Sequence, residues 1–317
     1  MTSVCTDSVQ IAIGIASMSP HDETVAATPS LMQDLPTGYA VRTFSRFKRL
    51  KAEAEEILQR LHENEDDGNQ WLVVLGLSAS SIDKLDNDHG CLGIDYRFQW
   101  EGTAGLIKVV PSGKHDMTTD KTTRVIDMHL NTMGITDPDD RQWIATTTHK
   151  PTSTKGKEGD QGFLPPSRLI PVMQPGWPTL VIETGVSESL PRLRADAKWW
   201  FAASSGDVRI VLVVSIKKTK VEFEKWQLAP PNAPRPLTRQ YIDNLRLGNQ
   251  VPPLFQQPAT TQQAYSALEV DVYVDDVVGE PMILPFHALY DRPPGPGEED
   301  VVLGAADFRK ITRMAFV

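Results

Sequence analysis

The sequence predicts a mixed α/β fold, a central sheet with helices on its faces. Two observations carry that expectation. Thr179-Leu-Val-Ile-Glu183 and Arg209-Ile-Val-Leu-Val-Val-Ser-Ile216 are short apolar runs of the kind that form central strands. Between them Leu190, Leu193, Ala197 and Trp200 recur at helical spacing, so a helix starts in Ser187 to Leu190 and runs to about Ala203. A strand–helix–strand order of this kind lays its two strands side by side in one sheet.

The remaining elements follow in chain order. Residues 1 to about 40 show no apolar period, and Pro36-Thr37-Gly38 reads as a turn, so this stretch is expected to be a loosely ordered tail. From Thr43, Phe44, Phe47, Ala54, Ile57, Leu58 and Leu61 share one face of a helix. Trp71 to Leu77 and Gly105 to Val110 are strand candidates. A second helix covers about His115 to Met133 and is closed by Gly134. Trp143 to Thr148 is rich in β-formers, Lys150 to Gly159 reads as a loop, and Val221 to Leu228 is a further strand. Val251 to Ala264 is a Pro/Gln-rich connector. Two strands (Leu268 to Val274, Met282 to Phe286) and a helix (Ala305 to Phe316) end the chain. Residues 41–317 are thus expected to form one domain, with its core at about 105–228 and a C-terminal extension over 229–317.

Bulk composition narrows the function classes. No apolar run is long enough to span a bilayer, and no basic start precedes the apolar patch Ile11 to Met18, so neither a membrane span nor a secretory signal is expected. Cys5 and Cys91 make no disulfide framework and lack zinc-site spacing; an intracellular setting, nuclear or cytoplasmic, is expected. A formal charge of −9 disfavours nucleic-acid binding over the whole surface. Yet Arg141 to Lys225 holds 13 Lys and Arg against 8 Asp and Glu, a basic region inside an acidic chain.

That region also holds the candidate site. Asp160 stands at a strand start and Glu183 at a strand end, with a helix soon after. Carboxylates delivered from neighbouring strands can share a hard cation such as Mg²⁺, which needs few protein oxygens. Such an ion can activate water and clamp developing phosphate charge.

At these residues the sequence resembles the PD-(D/E)XK nuclease fold, and in particular a group of fungal proteins related to bacterial Uma2-type members. The resemblance rests on Lys157-Glu-Gly-Asp160, Trp177-Pro-Thr-Leu-Val-Ile-Glu-Thr-Gly-Val-Ser-Glu-Ser189, Leu193-Arg-Ala-Asp-Ala-Lys-Trp-Trp200 and Gly206-Asp-Val-Arg-Ile-Val-Leu-Val-Val214. It continues weakly through Ile107-Lys-Val-Val-Pro-Ser-Gly-Lys-His115 and the C-terminal segments. It implies a restriction-endonuclease-like core and hydrolysis of DNA or RNA phosphodiesters with Mg²⁺ or Mn²⁺. The metal would be held by Asp160, Glu183 and the carbonyl of Thr184.

Two positions depart from the pattern. Gly159 replaces the motif Pro. Gly185 stands where the motif lysine belongs, and it is expected at a sharp turn. In Uma2-type members a lysine on the following helix serves instead, and Lys198 matches that placement. Arg192, Arg194, Lys217, Lys218 and Lys220 would then meet the phosphate backbone. Trp199 and Trp200 read as core, Asp196 as a structural partner of Arg192 or Arg209, and His115 as a helix cap or surface group. The competing reading, prompted by Gly185 and the acidic remainder, is a catalytically silent relative that binds nucleic acid or a protein partner.

Overall fold

The computed structural model describes residues 31–111, 113–169, 176–186 and 190–316. The start of the expected tail, residues 1–30, and Ser187 to Ser189 before the expected helix lie outside them. Residues 31 onward already pack. Leu31 is buried with Trp71, Val73 and Leu106.

The first half of the chain builds β1 (Ala40–Thr43), α1 (Phe47–Glu63), β2 (Trp71–Leu75), α2 (Ala79–Asn87), β3 (Tyr96–Glu101), β4 (Ala104–Val109) and α3 (Gly113–Thr132). Four strands follow: β5 (Gln142–Trp143), β6 (Thr148–Thr152), β7 (Lys155–Glu158) and β8 (Gln161–Leu164). Next come β9 (Leu180–Val186), α4 (Leu190–Ala203), β10 (Ile210–Ile216), β11 (Val221–Leu228) and α5 (Arg239–Leu247). The chain closes with β12 (Ala264–Val272), β13 (Val277–Val278), β14 (Met282–Leu284), α6 (Phe286–Tyr290), β15 (Val301–Leu303) and α7 (Ala305–Thr312). The fold is mixed α/β, as the patterning indicates.

Where one central sheet is expected, the strands divide chiefly between two. A seven-stranded sheet runs β13-β12-β11-β10-β9-β8-β5, and a six-stranded sheet runs β1-β2-β4-β3-β7-β6. In the seven-stranded sheet β9 and β10 are parallel neighbours, with Glu183 opposite Val213, and α4 makes the crossover between them. Both strands are buried along their whole length. The period of two then assigns the faces. Leu180, Ile182, Leu212 and Val214 join a core with Val125 and Ile126 of α3 and Phe308 and Ile311 of α7. Val181, Val211 and Val213 pack instead on Leu193, Ala197 and Trp200 of α4. Glu183, one place on from Ile182, therefore faces the α4 side.

The six-stranded sheet has its own core. Leu50, Ala54, Ile57 and Leu61 of α1 cover Leu72, Phe98 and Ile107. Its other face holds Trp71, Val73 and Leu106 against Leu31 and sends Gln99, Lys108 and Lys157 toward β9 and α4.

The segment expected as a loop, Lys150 to Gly159, is largely β-structure: β6 and β7 pair antiparallel, and β7 joins β3 with Gly156 opposite Trp100. Gly156 is required there. A Cβ would stand 2.1 Å from the Trp100 ring. From Glu158 the chain leaves the six-stranded sheet, and at Gln161 it enters the seven-stranded one. Asp160 lies in the two-residue link where the sheets meet.

Candidate functional site

Asp160 is fully enclosed at this crossing. Its Oδ2 accepts from the Thr184 amide (2.8 Å) and from Lys108 Nζ (2.6 Å), and His115 Nε2 lies 3.4 Å away. Oδ1 is 3.0 Å from Arg97 Nε, without hydrogen-bond alignment. Glu183 stands beside it. Its Oε1 accepts from Trp200 Nε1 at 2.6 Å and lies 3.2 Å from Lys157 Nζ, while Oε2 is 3.9 Å from Lys108 Nζ. Lys157 also reaches Asp196 Oδ1 (3.1 Å), the oxygen to which Arg192 donates (2.8 Å).

Elements from both sheets deliver these groups. Arg97 comes from β3, Lys108 from β4 and Lys157 from β7, while Glu183 comes from β9 and Arg192 and Asp196 from α4. His115, at the start of α3, is wholly buried rather than a surface group; its Nε2 is 3.0 Å from the Thr184 carbonyl and its Nδ1 3.0 Å from Asp116. Asp196 is the structural partner of Arg192 that its position implies. Gly185, expected at a turn, continues β9 opposite Ser215.

Burial and neighbouring charge set the protonation states in opposition. Burial alone would raise the Asp160 carboxyl, but Lys108, His115 and Arg97 hold it well below the ordinary carboxylate range. Asp196 is lowered in the same way: Arg192 and Lys157 overcome its burial. Glu183 is raised, because burial and the charges of Asp196 and Asp160 outweigh Lys157 and Lys108. Lys157 and His115 are raised despite burial, Lys157 by Asp196 and Glu183, His115 by Asp160 and Asp116.

The Lys108 ammonium therefore touches the would-be metal ligands together. It donates to Asp160 Oδ2 and to the Thr184 carbonyl (2.5 Å) and lies 3.9 Å from Glu183. A hard divalent cation would need those oxygens. The donor set admits one only if Lys108 withdraws, and Lys157, Arg97 and Arg192 already surround the carboxylates with positive charge. Among the described residues no group of three or more His, Cys, Asp or Glu has metal-holding geometry.

Lys198 is not brought to this centre. It is exposed on α4, with Nζ 5.8 Å from the centroid of the Trp226 ring. Lys108 and Lys157 are the lysines beside the carboxylates. The signal for Lys108 was its place inside the apolar run Leu106-Ile-Lys-Val-Val110, since a lysine in a buried strand must find counter-charge.

The residues expected to meet phosphate are also committed elsewhere. Arg192 is buried, not superficial: besides Asp196 it donates to Gln99 Oε1 (2.7 Å) and the Leu31 carbonyl (2.7 Å). Arg194 makes a bidentate pair with Glu224. Lys217 pairs with Glu222, Lys220 with Glu222 (2.6 Å) and Asp271 (3.2 Å), and Lys218 lies 3.7 Å from both Glu65 and Asp67. The basic region is largely matched by carboxylates, among them Glu65, Asp67 and Asp271 from outside it.

No protein-family model matches this chain, and no curated protein does. Among solved structures it is similar to a DUF820 protein of Anabaena variabilis described as a candidate nuclease, at 12% identity and a TM-score of 0.32. That likeness covers 52% of this chain and 88% of the other, and it is too weak to carry argument. No helix among the described residues is long and apolar enough to cross a membrane.

Proposed function

We propose that this chain is a catalytically silent relative of metal-dependent nucleases and acts as a binding domain. One observation carries the reading: the ammonium of Lys108 takes the position between Asp160, Glu183 and the Thr184 carbonyl that a divalent ion would need. An internal cation of this kind neutralises the carboxylates permanently and turns a reaction centre into a structural one. Enclosure supports the same conclusion. Asp160 and Glu183 are buried beneath the six-stranded sheet, whereas a phosphodiester must reach its metal directly. The pairing of Arg194, Lys217, Lys218 and Lys220 with carboxylates argues against a polyanion as the main ligand, so a protein partner fits this surface better than nucleic acid.

Thermal melting with Mg²⁺ and Mn²⁺ tests this. The wild-type melting temperature should not respond to either ion. Lys108→Met removes the internal cation and should create a metal-dependent rise by mass action.

A second reading is favoured by the convergence of Asp160, Glu183 and Thr184 on a single cation position: a Mg²⁺- or Mn²⁺-dependent phosphodiesterase of DNA or RNA that is closed in this form. It requires Lys108 to withdraw, and it leaves Lys157, not Lys198, as the lysine against Glu183. A metal-dependent rise in the wild type that Glu183→Gln abolishes, together with cleavage of an oligonucleotide, would establish it and overturn the silent reading.

A further inference from the structure

A cavity of about 580 Å³ lies apart from the carboxylate centre, between the end of α2, the approach to β6 and the residues just before β9. Its volume is that of a small-molecule site. We propose that it binds an uncharged, polyhydroxylated ring, the sugar unit of a saccharide or a nucleoside.

The hydroxyl and amide donors of Thr147, Thr148 and Asn87 in the wall are spent internally. The Thr147 hydroxyl donates to the Ile144 carbonyl (2.5 Å) and the Thr148 hydroxyl to Asp86 (2.6 Å). The Asn87 amide donates to the carbonyl and the carboxylate of Asp83, at 2.9 Å each. His149 Nδ1 faces the Thr147 carbonyl at 3.1 Å, so in the neutral ring that nitrogen carries the proton. Its Nε2 is then a lone pair. His149 is only 7% exposed, yet Nε2 has no partner in bonding geometry; the Gly176 carbonyl near it is a second acceptor and cannot satisfy it. The buried group left open is thus an acceptor, beside the His89 ring and the Lys150 ammonium at the rim, and a wall of both kinds suits a ligand whose groups donate and accept.

Charge narrows the class. Asp86 is matched by Lys150 at 2.7 Å. Glu158, behind Thr148, is pushed up to about 8 by burial and keeps its proton at neutral pH. Burial pushes His149 down to about 4, so it stays uncharged. With Asp86 and Lys150 offsetting each other, neither an anion nor a cation finds an unmatched charge there. The aromatic part of the wall is the half-buried Trp177, one face of which His149 already covers at 5.0 Å and 27°. A sugar ring meets all three demands, with hydroxyls that donate and accept, no charge and an apolar C–H face.

Saturation-transfer NMR on the full chain at pH 7, with D-glucose, D-ribose and adenosine as probes, tests the proposal. Saturable binding of at least one probe is expected; glucose alone would indicate a saccharide, ribose with adenosine a nucleoside. His149→Phe keeps the flat ring and removes the acceptor, and it should weaken binding about tenfold, as for one lost buried hydrogen bond. Trp177→Leu removes the stacking partner and should weaken it too. The proposal falls if no probe binds, if a methylguanidinium or acetate probe binds in their place, or if both variants bind like the wild type. None of these outcomes depends on metal binding at Asp160, so the two readings fail separately.

Discussion

Opposite charges meet in two very different regions of this molecule. At the sheet crossing Asp160, Glu183 and Asp196 are enclosed with Lys108, Lys157 and Arg192, each of these side chains no more than 6% exposed. Around the β10–β11 turn, Lys217, Lys218 and Lys220 meet Glu222, Glu65, Asp67 and Asp271 at distances that are often as short, but in contact with water. Distance alone does not rank these contacts. A solvated pair contributes little because water would serve each partner nearly as well. In the enclosed network every charge has lost its hydration, so removing one leaves its partners stranded.

Variants can break that contrast. The largest effect is expected from Asp160→Ala, which strands Lys108 and Arg97 and should cost about 3–5 kcal/mol in urea unfolding. A loss below about 1 kcal/mol would put the crossing in the same class as the surface pairs.

Glu158 gives a smaller, pH-dependent effect. Burial raises its carboxyl from 4.5 to about 8, so between those values the folded protein holds a proton that the unfolded chain has released. Its contribution to stability is complete below 4.5 and is lost as the pH rises through about 8. Glu158→Gln should flatten this fall and add on the order of 1–3 kcal/mol at pH 8. An unchanged slope in a pH series of unfolding curves would remove Glu158 as its source. His149 acts in the opposite sense. Its lowered value makes the fold lose stability as the pH drops from 6.5 toward 4, and His149→Phe should remove that loss.

The smallest effect is expected at Lys218, 58% exposed and 3.7 Å from each of its partners. Lys218→Met should change stability by less than about 1 kcal/mol, and raising the salt concentration should shrink even that difference. A larger, salt-resistant loss would mean that the surface pairs are coupled into a network.

Some of this architecture was legible in the residues. The β9–α4–β10 unit follows from two apolar runs and a helical stripe, because strands buried on both faces leave an uninterrupted signal. Leu190, Leu193, Ala197 and Trp200 lie on α4, where their spacing puts them. The β6–β7 hairpin was not legible. Lys157 and Glu158 are buried through ion pairs and hydrogen bonds, not apolar contact, so their strand reads like a loop. The second sheet was hidden for a different reason: β3 alternates cleanly, with Tyr96, Phe98 and Trp100 in the core and Arg97 and Gln99 on the opposite face, but alternation marks a strand without saying which sheet it joins. The closeness of Asp160 to Glu183 follows from the order of strands. The identity of the lysine between them does not, since β4 lies 52 residues ahead of Asp160 and reaches it only when the two sheets pack.

The link at Gly159 and Asp160 has a consequence for how the chain assembles. Arg97, Lys108 and Lys157, on the six-stranded side, are positive, while Glu183 and Asp196, on the other, are negative. During synthesis the positive set emerges first, and Lys108 waits for Asp160, 52 residues later, and then for Glu183 in β9, a contact order that delays closure. Arg192 pairs with Asp196 within α4, but Glu183 finds its ammonium partners, Lys157 and Lys108, only across the crossing. Docking of the halves thus works as a checkpoint on the nascent chain: a wrongly seated β9 would leave a cationic face in water, open to the cell's quality control, until the correct register brings Glu183 to it.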